Sequence, residues 1–135
     1  MLARIEHLLS ANADFAIETT LSTKSYVQTI KKCREKGYRI VLVYFWLKST
    51  ALAITRIQER VKRGGHYISD EVVKRRYKRG LQNLLKLFIP LCDYWFAVDN
   101  SENKPAIIAA GNDGADTIIY NYEIWETIKS YANEK

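Results

Sequence analysis

The sequence predicts an α/β fold whose sheet has parallel central strands and ends in an antiparallel hairpin. Strand-like apolar runs alternate with helical patterns, and residues 38–47 (YRIVLVYFWL) are almost continuously apolar, as in a strand that is covered on both faces. The hairpin is predicted because the turn-like NDGA at 112–115 separates the strand patterns 105–111 and 116–120. We therefore expect helices on both faces of the sheet.

The elements before the long apolar run follow from short-range patterns. The first is an amphipathic helix whose apolar stripe contains Leu2, Ile5, Leu8 and Leu9. Residues 14–19 (DFAIET) predict a short strand that ends in polar residues. Ser22 or Thr23 is the expected N-cap of the next helix, which Gly37 ends.

The elements after that run complete the alternation. Residues 49–62 predict a helix, and Ser69 predicts the N-cap of another that ends near Pro90. Residues 94–100 (YWFAVDN) predict the third strand, which precedes the hairpin. A last helix is expected over 121–132.

Length and composition limit the class of protein. A chain of 135 residues with 47% hydrophobic residues predicts a single domain, 1–135, with a buried core. We find no apolar run of membrane-span length and no signal-peptide pattern, so we predict a cytoplasmic protein without a membrane partner. Cys33 and Cys92 are too few for a metal cluster or a disulfide framework, and we expect reduced thiols and no metal site.

The most basic part of the chain runs from Arg56 to Arg79. It contains nine Lys or Arg residues against three acidic ones, while the whole chain has a net charge of +6. Six of the nine are arginines, whose planar guanidinium fits phosphate oxygens. With Gly64-Gly65 as a hinge, this predicts an arginine-rich helical lid at about 56–80 that closes over a nucleotide or a phosphorylated small molecule. A solvated basic helix face is the structural alternative.

Polar clusters follow the three predicted strands. Ligands of open parallel sheets bind beyond the carboxyl ends of the strands, so the candidates are Glu18-Thr19-Thr20, Lys48-Ser49 and Asp99-Asn100-Ser101. For Lys48-Ser49 and Asp99-Asn100-Ser101 we favour a structural explanation, because loops that follow strands are exposed to solvent and therefore polar. Glu18 follows an apolar run and adjoins two hydroxyl side chains, so functional and structural roles stay equally open.

His66 follows the double glycine, where an imidazole can contact phosphate or carry a proton. A loop or capping role is the alternative, because neither Cys nor Asp lies beside it at metal or triad spacing. The 135 residues contain neither G-x-x-x-x-G-K-[ST] nor G-x-G-x-x-G.

Four blocks of sequence, in this order, resemble the zeta-toxin-like P-loop kinases, which are often described as predicted ATPases. They are FAIETTLS (15–22), GYRIVLVYFWL (37–47), RIQERVKRGGHYISDEVVKRRYKRGLQNL (56–84) and DYWFAVDNS (93–101). The resemblance covers nearly the whole chain but only the C-terminal two thirds of the family domain. It implies a truncated P-loop-kinase-like sheet, because the family's Walker A part would precede Met1.

The resemblance also implies roles for individual residues. Glu18, Thr19 and Thr20 would hold the phosphoryl acceptor, which is UDP-N-acetylglucosamine for the toxins of the family. Among the basic residues, the resemblance implies that Arg63 and Arg76, with Arg60 as a substitute, contact the β- and γ-phosphates. Arg56 and His66, from the same basic segment, are our further candidates for cofactor binding. ATP and magnesium are implied as cofactors, although we expect neither to bind tightly to this chain alone.

These observations predict a fragment or remnant of an ATP-dependent small-molecule kinase that is inactive by itself. The alternative is a non-catalytic interaction module that dimerises or pairs with a separate N-terminal half, and an antitoxin is a further candidate partner. Nucleic-acid binding ranks third, because it needs base-stacking aromatic residues on the basic surface. Tyr67 and Tyr77 are candidates for that role, but Tyr77 falls on the apolar stripe of its helix.

Overall fold

The computed structural model describes residues 2–113 and 117–133. Within these ranges the helices are α1 (Leu2–Ser10), α2 (Ser25–Glu35), α3 (Thr50–Lys62), α4 (Asp70–Asn83) and α5 (Tyr122–Asn133). The strands are β1 (Val41–Trp46), β2 (Tyr94–Asp99), β3 (Ala106–Asn112) and β4 (Ile118–Ile119). A π-helical turn (Leu84–Phe88) and a 3-10 turn (Ile89–Leu91) continue α4.

The four strands form one mixed sheet in the order β1-β2-β3-β4. β1 runs parallel to β2, with Val41 opposite Tyr94 and Trp46 opposite Asp99, and the other two pairs are antiparallel. The predicted α/β class and the C-terminal hairpin are therefore confirmed. Of the predicted turn at 112–115, Gly114 and Ala115 lie outside the described residues.

The main core fills one face of this sheet. α4, the π-helical turn and α5 cover that face, and Leu81, Ile108 and Ile128 are at most 1% exposed. Trp95 stacks on Trp125 with ring centroids 5.4 Å apart. Burial of large apolar side chains of this kind is the dominant stabilising term in folding.

Gly111 lies opposite Trp95 in the register of β2 and β3. A Cβ atom at this position would lie 2.5 Å from the indole nitrogen of Trp95. The indole therefore occupies the space that a side chain at position 111 would need, and only glycine fits beside it.

α2 is attached to the sheet through Arg34. Its guanidinium donates a hydrogen bond to the Leu91 carbonyl at 3.0 Å and forms ion pairs with Asp93 at 3.6 Å and Asp113 at 3.4 Å. The second carboxylate oxygen of Asp93 accepts a 2.7 Å hydrogen bond from the Ile40 amide. This network fixes the end of α2 and the starts of β1 and β2 relative to each other.

The strand predicted over 14–19 is wrong, because the structure shows no strand between α1 and α2. Phe15 and Ile17 are half-buried against the cluster formed by α1 and Cys33, so the apolar pattern reports packing and not sheet pairing. An extended segment becomes a strand only beside a partner strand. Among the described residues, β1 pairs with β2 alone.

The expectation that β1 is covered on both faces is also wrong. Leu42, Tyr44 and Trp46 pack against the core. The alternate residues are open, with Val41, Val43 and Phe45 exposed by 55%, 46% and 57%. A continuous apolar run predicts burial on both sides, and here one side has no cover within the described residues.

One of the two predicted helix caps is confirmed by a hydrogen bond: the Ser69 hydroxyl accepts from the Val72 amide at 3.4 Å. Ser49 caps α3 in the same way, because its hydroxyl accepts from the Leu52 amide at 3.1 Å, although the sequence pattern did not single it out as a cap. The predicted cap of α2 is wrong: the N-cap position is Lys24 and has no side-chain hydrogen bond.

Candidate phosphate-binding groove

A groove of about 700 Å³ runs along the free edge of β1. Five consecutive residues of β1, 41–45, line it, so both the edge and the side chains above and below that edge contribute. Residues 16–21 form the opposite wall, and α3 and α4 form the third side. The volume is typical of small-molecule sites. Its charged lining residues are Glu18, Arg60 and Arg76.

The wall opposite β1 ends in a tight turn at 19–22. The Leu21 amide donates to the Thr19 hydroxyl at 3.2 Å, and the Thr20 and Ser22 hydroxyls share a hydrogen bond of 2.7 Å. Leu21 has φ +59°, in the left-handed region that costs a bulky residue roughly 1–2 kcal/mol. Its side chain is only 4% exposed, and this burial offsets the strain. Glu18, Thr19 and Thr20 are exposed at the groove.

The structure brings two of the three predicted phosphate-binding arginines to this groove. Arg60 reaches it from α3 and Arg76 from α4, opposite the segment that carries Glu18. Arg63 is the residue that follows the end of α3, is exposed, and does not line the groove. One arginine from each of two helices therefore lines the groove.

The double glycine after Arg63 has a local structural role. Gly64 has φ +97°, its amide donates to the Val61 carbonyl, and the Gly65 amide donates to the Arg60 carbonyl at 2.9 Å. This is the Schellman pattern that ends an α-helix. The two glycines stop α3, which explains their presence without a hinge.

Arg56 and His66 lie outside the groove lining. The Arg56 guanidinium donates to the Ser101 carbonyl at 3.2 Å, which connects α3 to the loop after β2. His66 is exposed in the connection between α3 and α4. Neither residue lines the groove that Arg60 and Arg76 share.

The polar residues after β1 and β2 hold their own loops. The Lys48 amide donates to the Ser101 hydroxyl at 2.9 Å, and the Ser101 amide donates to the Asp99 carboxylate at 2.9 Å. Ser49 caps α3. These contacts favour the structural explanation of both clusters.

Two tyrosines of the groove were assigned to the core by the sequence pattern. Tyr44 lies in the apolar run and Tyr77 on the apolar stripe of α4, and both also line the groove. The Tyr77 hydroxyl donates to the Leu47 carbonyl at 2.6 Å, and its ring meets Tyr131 edge-on at 5.4 Å. Tyr77 is therefore committed to packing and unavailable for base stacking. No local signal in the sequence separates such a residue from an ordinary core tyrosine.

Burial keeps both phenols protonated. Desolvation raises the pKa of Tyr77 to about 12 and raises the pKa of Tyr44 above its ordinary value. At neutral pH both are neutral groups. They can orient a ligand but cannot remove a proton from it.

The groove has few side chains that could coordinate a metal ion. Glu18 is its one acidic lining residue, and no cluster of three or more His, Cys, Asp or Glu side chains suited to a metal occurs in residues 2–113 and 117–133. Magnesium is held by carboxylates together with substrate phosphates. The described residues therefore do not fit a magnesium site of their own. Within the same residues, no helix is long and apolar enough to cross a bilayer.

Comparison with known proteins identifies the family. The family model for zeta toxin matches residues 2–89, a region that contains the groove-lining segment 16–21, β1, α3 and α4. The chain belongs to the zeta toxin family. This assignment supports a kinase-like P-loop fold.

One relative of this zeta toxin family chain is an uncharacterized protein of Haemophilus influenzae, 40% identical over 63 residues. The match spans 47% of this chain and 45% of that protein, so the chain spans less than half the length of the relative. No solved structure matches significantly. Fold and family do not by themselves give a substrate, so the residues of the groove must supply that information.

Proposed function

We propose that the groove binds a phosphorylated small molecule and forms the acceptor-and-lid part of a phosphoryl-transfer site of the zeta toxin kind. The observation that carries this proposal is the joint lining of one groove by Glu18, Arg60 and Arg76, from three separate segments. Guanidinium groups offer paired donors to phosphate oxygens, and phosphoryl transfer depends mainly on positioning and on charge stabilisation.

The two ends of the groove take different parts of the ligands. Arg60 and Arg76 face the phosphate groups. The Glu18 carboxylate accepts a hydrogen bond from a hydroxyl of the acceptor, and Thr19 and Thr20 orient that acceptor. A nucleotide sugar such as UDP-N-acetylglucosamine, the acceptor of the family's toxins, has both the hydroxyls and the phosphates that this arrangement requires.

ATP with magnesium would supply the transferred phosphoryl group. The described residues fit the phosphates only through Arg60 and Arg76 and do not fit the metal. The 135 residues also contain no phosphate-loop sequence. We expect no multiple turnovers of ATP by this chain alone. Sustained ATP-dependent transfer by the purified chain would contradict that expectation.

The binding proposal is tested by isothermal titration with UDP-N-acetylglucosamine and with ADP. Replacing both Arg60 and Arg76 by Gln removes two charge-assisted contacts, so we expect affinity to fall by roughly tenfold or more. Replacing both Arg75 and Arg79 by Gln is the matched control, because it removes the same charge from two exposed positions of α4 that do not line the groove. Equal losses in the control and in the variant of Arg60 and Arg76 would sink the proposal, as would a wild-type chain that binds neither ligand.

A second candidate function is that of an interaction module, which the open side of β1 favours. An unpaired edge beside three half-exposed apolar side chains is a template for another strand. The partner is a second copy of the chain or a separate N-terminal half. Light scattering behind a sizing column should show association at micromolar concentration that Val43→Lys abolishes. A monomer at every concentration tested would count against this candidate.

A further inference from the structure

Helix α4 touches the turn at 19–22 at two points. A Cβ atom on Gly80 would lie 2.6 Å from the Thr20 carbonyl oxygen, so the helix and the turn approach as closely as backbone atoms allow. Three residues later, the Asn83 side-chain amide donates a 2.7 Å hydrogen bond to the Leu21 carbonyl. The oxygens of both central turn residues therefore face α4.

The turn depends on this support, because its own backbone preference opposes it. Leu21 adopts a left-handed φ of +59°, and a bulky residue keeps such a conformation only where its surroundings fix it. The buried Leu21 side chain supplies one restraint, and the contacts with Gly80 and Asn83 supply the others.

The same face of α4 also carries an arginine of the groove. Arg76, Gly80 and Asn83 are spaced i, i+4 and i+7, which places them along one side of a helix. Arg76 lines the groove, and the other two hold the turn whose Thr19 and Thr20 line its far wall. One helix thus carries the phosphate-facing group and the support of the acceptor-facing groups.

We propose that Gly80 and Asn83 are positioning residues that fix the Thr19-Thr20 turn relative to Arg76. This proposal rests on the proposed function of the groove. It places the acceptor turn and Arg76 on one rigid unit, so that their separation stays constant when a ligand binds. Any closure of the groove then comes from α3, which carries Arg60.

The first test needs no ligand. In Asn83→Ala and in the isosteric Asn83→Asp, which cannot donate a hydrogen bond from an ionised carboxylate, the amides of Leu21 and Ser22 should exchange with solvent roughly tenfold faster or more. Gly80→Ala should shift the resonances of the same amides. Lys74→Ala, on an exposed position of α4, should leave them unchanged. Circular dichroism establishes that each variant is folded. Turn amides unaltered by all three variants would overturn the proposal.

The second test separates positioning from general loss of structure. UDP-N-acetylglucosamine probes the acceptor side together with the phosphates, whereas inorganic pyrophosphate probes the arginines alone. In both Asn83 variants we expect roughly tenfold weaker binding of the nucleotide sugar and unchanged binding of pyrophosphate. Equal weakening of both probes, or unchanged binding of both, would overturn the positioning role. If the wild-type chain bound neither probe, the proposed function and the positioning role would fail together. The exchange measurements would still test whether Gly80 and Asn83 hold the turn in place.

Discussion

The two helices that flank the groove are held in very different ways. α4 buries Val73, Gly80 and Leu81, and its continuation buries Leu84 and Phe88. α3 has no fully buried residue. Local stability follows buried apolar contact, so α4 is a fixed wall of the groove and α3 is the side that can move.

This asymmetry bears on the lid predicted at about 56–80. That range includes the first eleven residues of α4, among which Val73 and Gly80 are buried in the core. Only α3 and its connection to α4 are attached lightly enough to act as a lid. Three measurements test this difference between the two helices.

The largest expected difference is in the free energy of unfolding. Leu81 of α4 is 0% exposed, so Leu81→Ala should cost about 2–5 kcal/mol. Ile57 of α3 is half-buried at the groove, so Ile57→Ala should cost about 1 kcal/mol. Urea denaturation of both variants checks the prediction. Equal losses would show that α3 is anchored as firmly as α4.

The next difference is a pH dependence that belongs to α4. Burial raises the pKa of Tyr77 to about 12, from about 10 in an unfolded chain. Between these values the unfolded chain loses the proton and the folded chain keeps it, so the stability contributed by Tyr77 is complete below pH 10 and is lost as pH rises towards 12.

The free energy of unfolding of the wild-type protein should therefore fall at alkaline pH. In the Tyr77→Phe variant it should fall less steeply between pH 10 and 12. Burial also raises the pKa of Cys92 to about 11, which adds a loss in the same direction from about pH 9 in both proteins. Urea midpoints at half-unit steps measure the two slopes. At neutral pH, Tyr77→Phe also loses the hydrogen bond to Leu47, at about 1 kcal/mol. Parallel curves above pH 10 would argue against a buried phenol.

The smallest expected effect concerns the attachment of α3. Arg56→Gln removes the hydrogen bond to the Ser101 carbonyl, and global stability should change by about 1 kcal/mol or less. Hydrogen exchange in α3 should nevertheless accelerate while exchange in α4 stays constant. Gln58→Ala, an exposed change on the same helix, serves as the control. Acceleration in α4 as well would mean that the two helices move as one body.

The sequence predicted most of the fold because most of the signals are local. The Ser69 cap, the buried stripe of α4 and the hairpin each depend on residues close together in the chain. The strand at 14–19 failed because pairing depends on a neighbour that the pattern itself does not contain. The prediction that β1 is covered on both faces failed for the same reason. An apolar run favours burial, but it does not contain the residues that would have to cover it.

The groove was predicted in part. Arg60, Arg76 and Glu18 were found because their chemistry suits phosphate and hydroxyl groups, and the structure brings them to one groove. Gly80 and Asn83 were missed because their contacts join residues about sixty positions apart, where no short-range pattern exists. Arg56, which was predicted with Arg60 and Arg76, does not line the groove and donates a hydrogen bond to a backbone carbonyl, a contact that the basic run alone does not reveal.

The contact between Trp95 and Gly111 has a consequence for the ancestry of the chain. The indole and a β-carbon cannot occupy the same space, so position 111 cannot acquire a side chain while the tryptophan remains. In related proteins the two sites should change in step: glycine is retained wherever the indole persists, and a side chain is acquired only where the tryptophan has given way to something smaller. Two positions sixteen residues apart in the sequence are in this sense a single inherited unit.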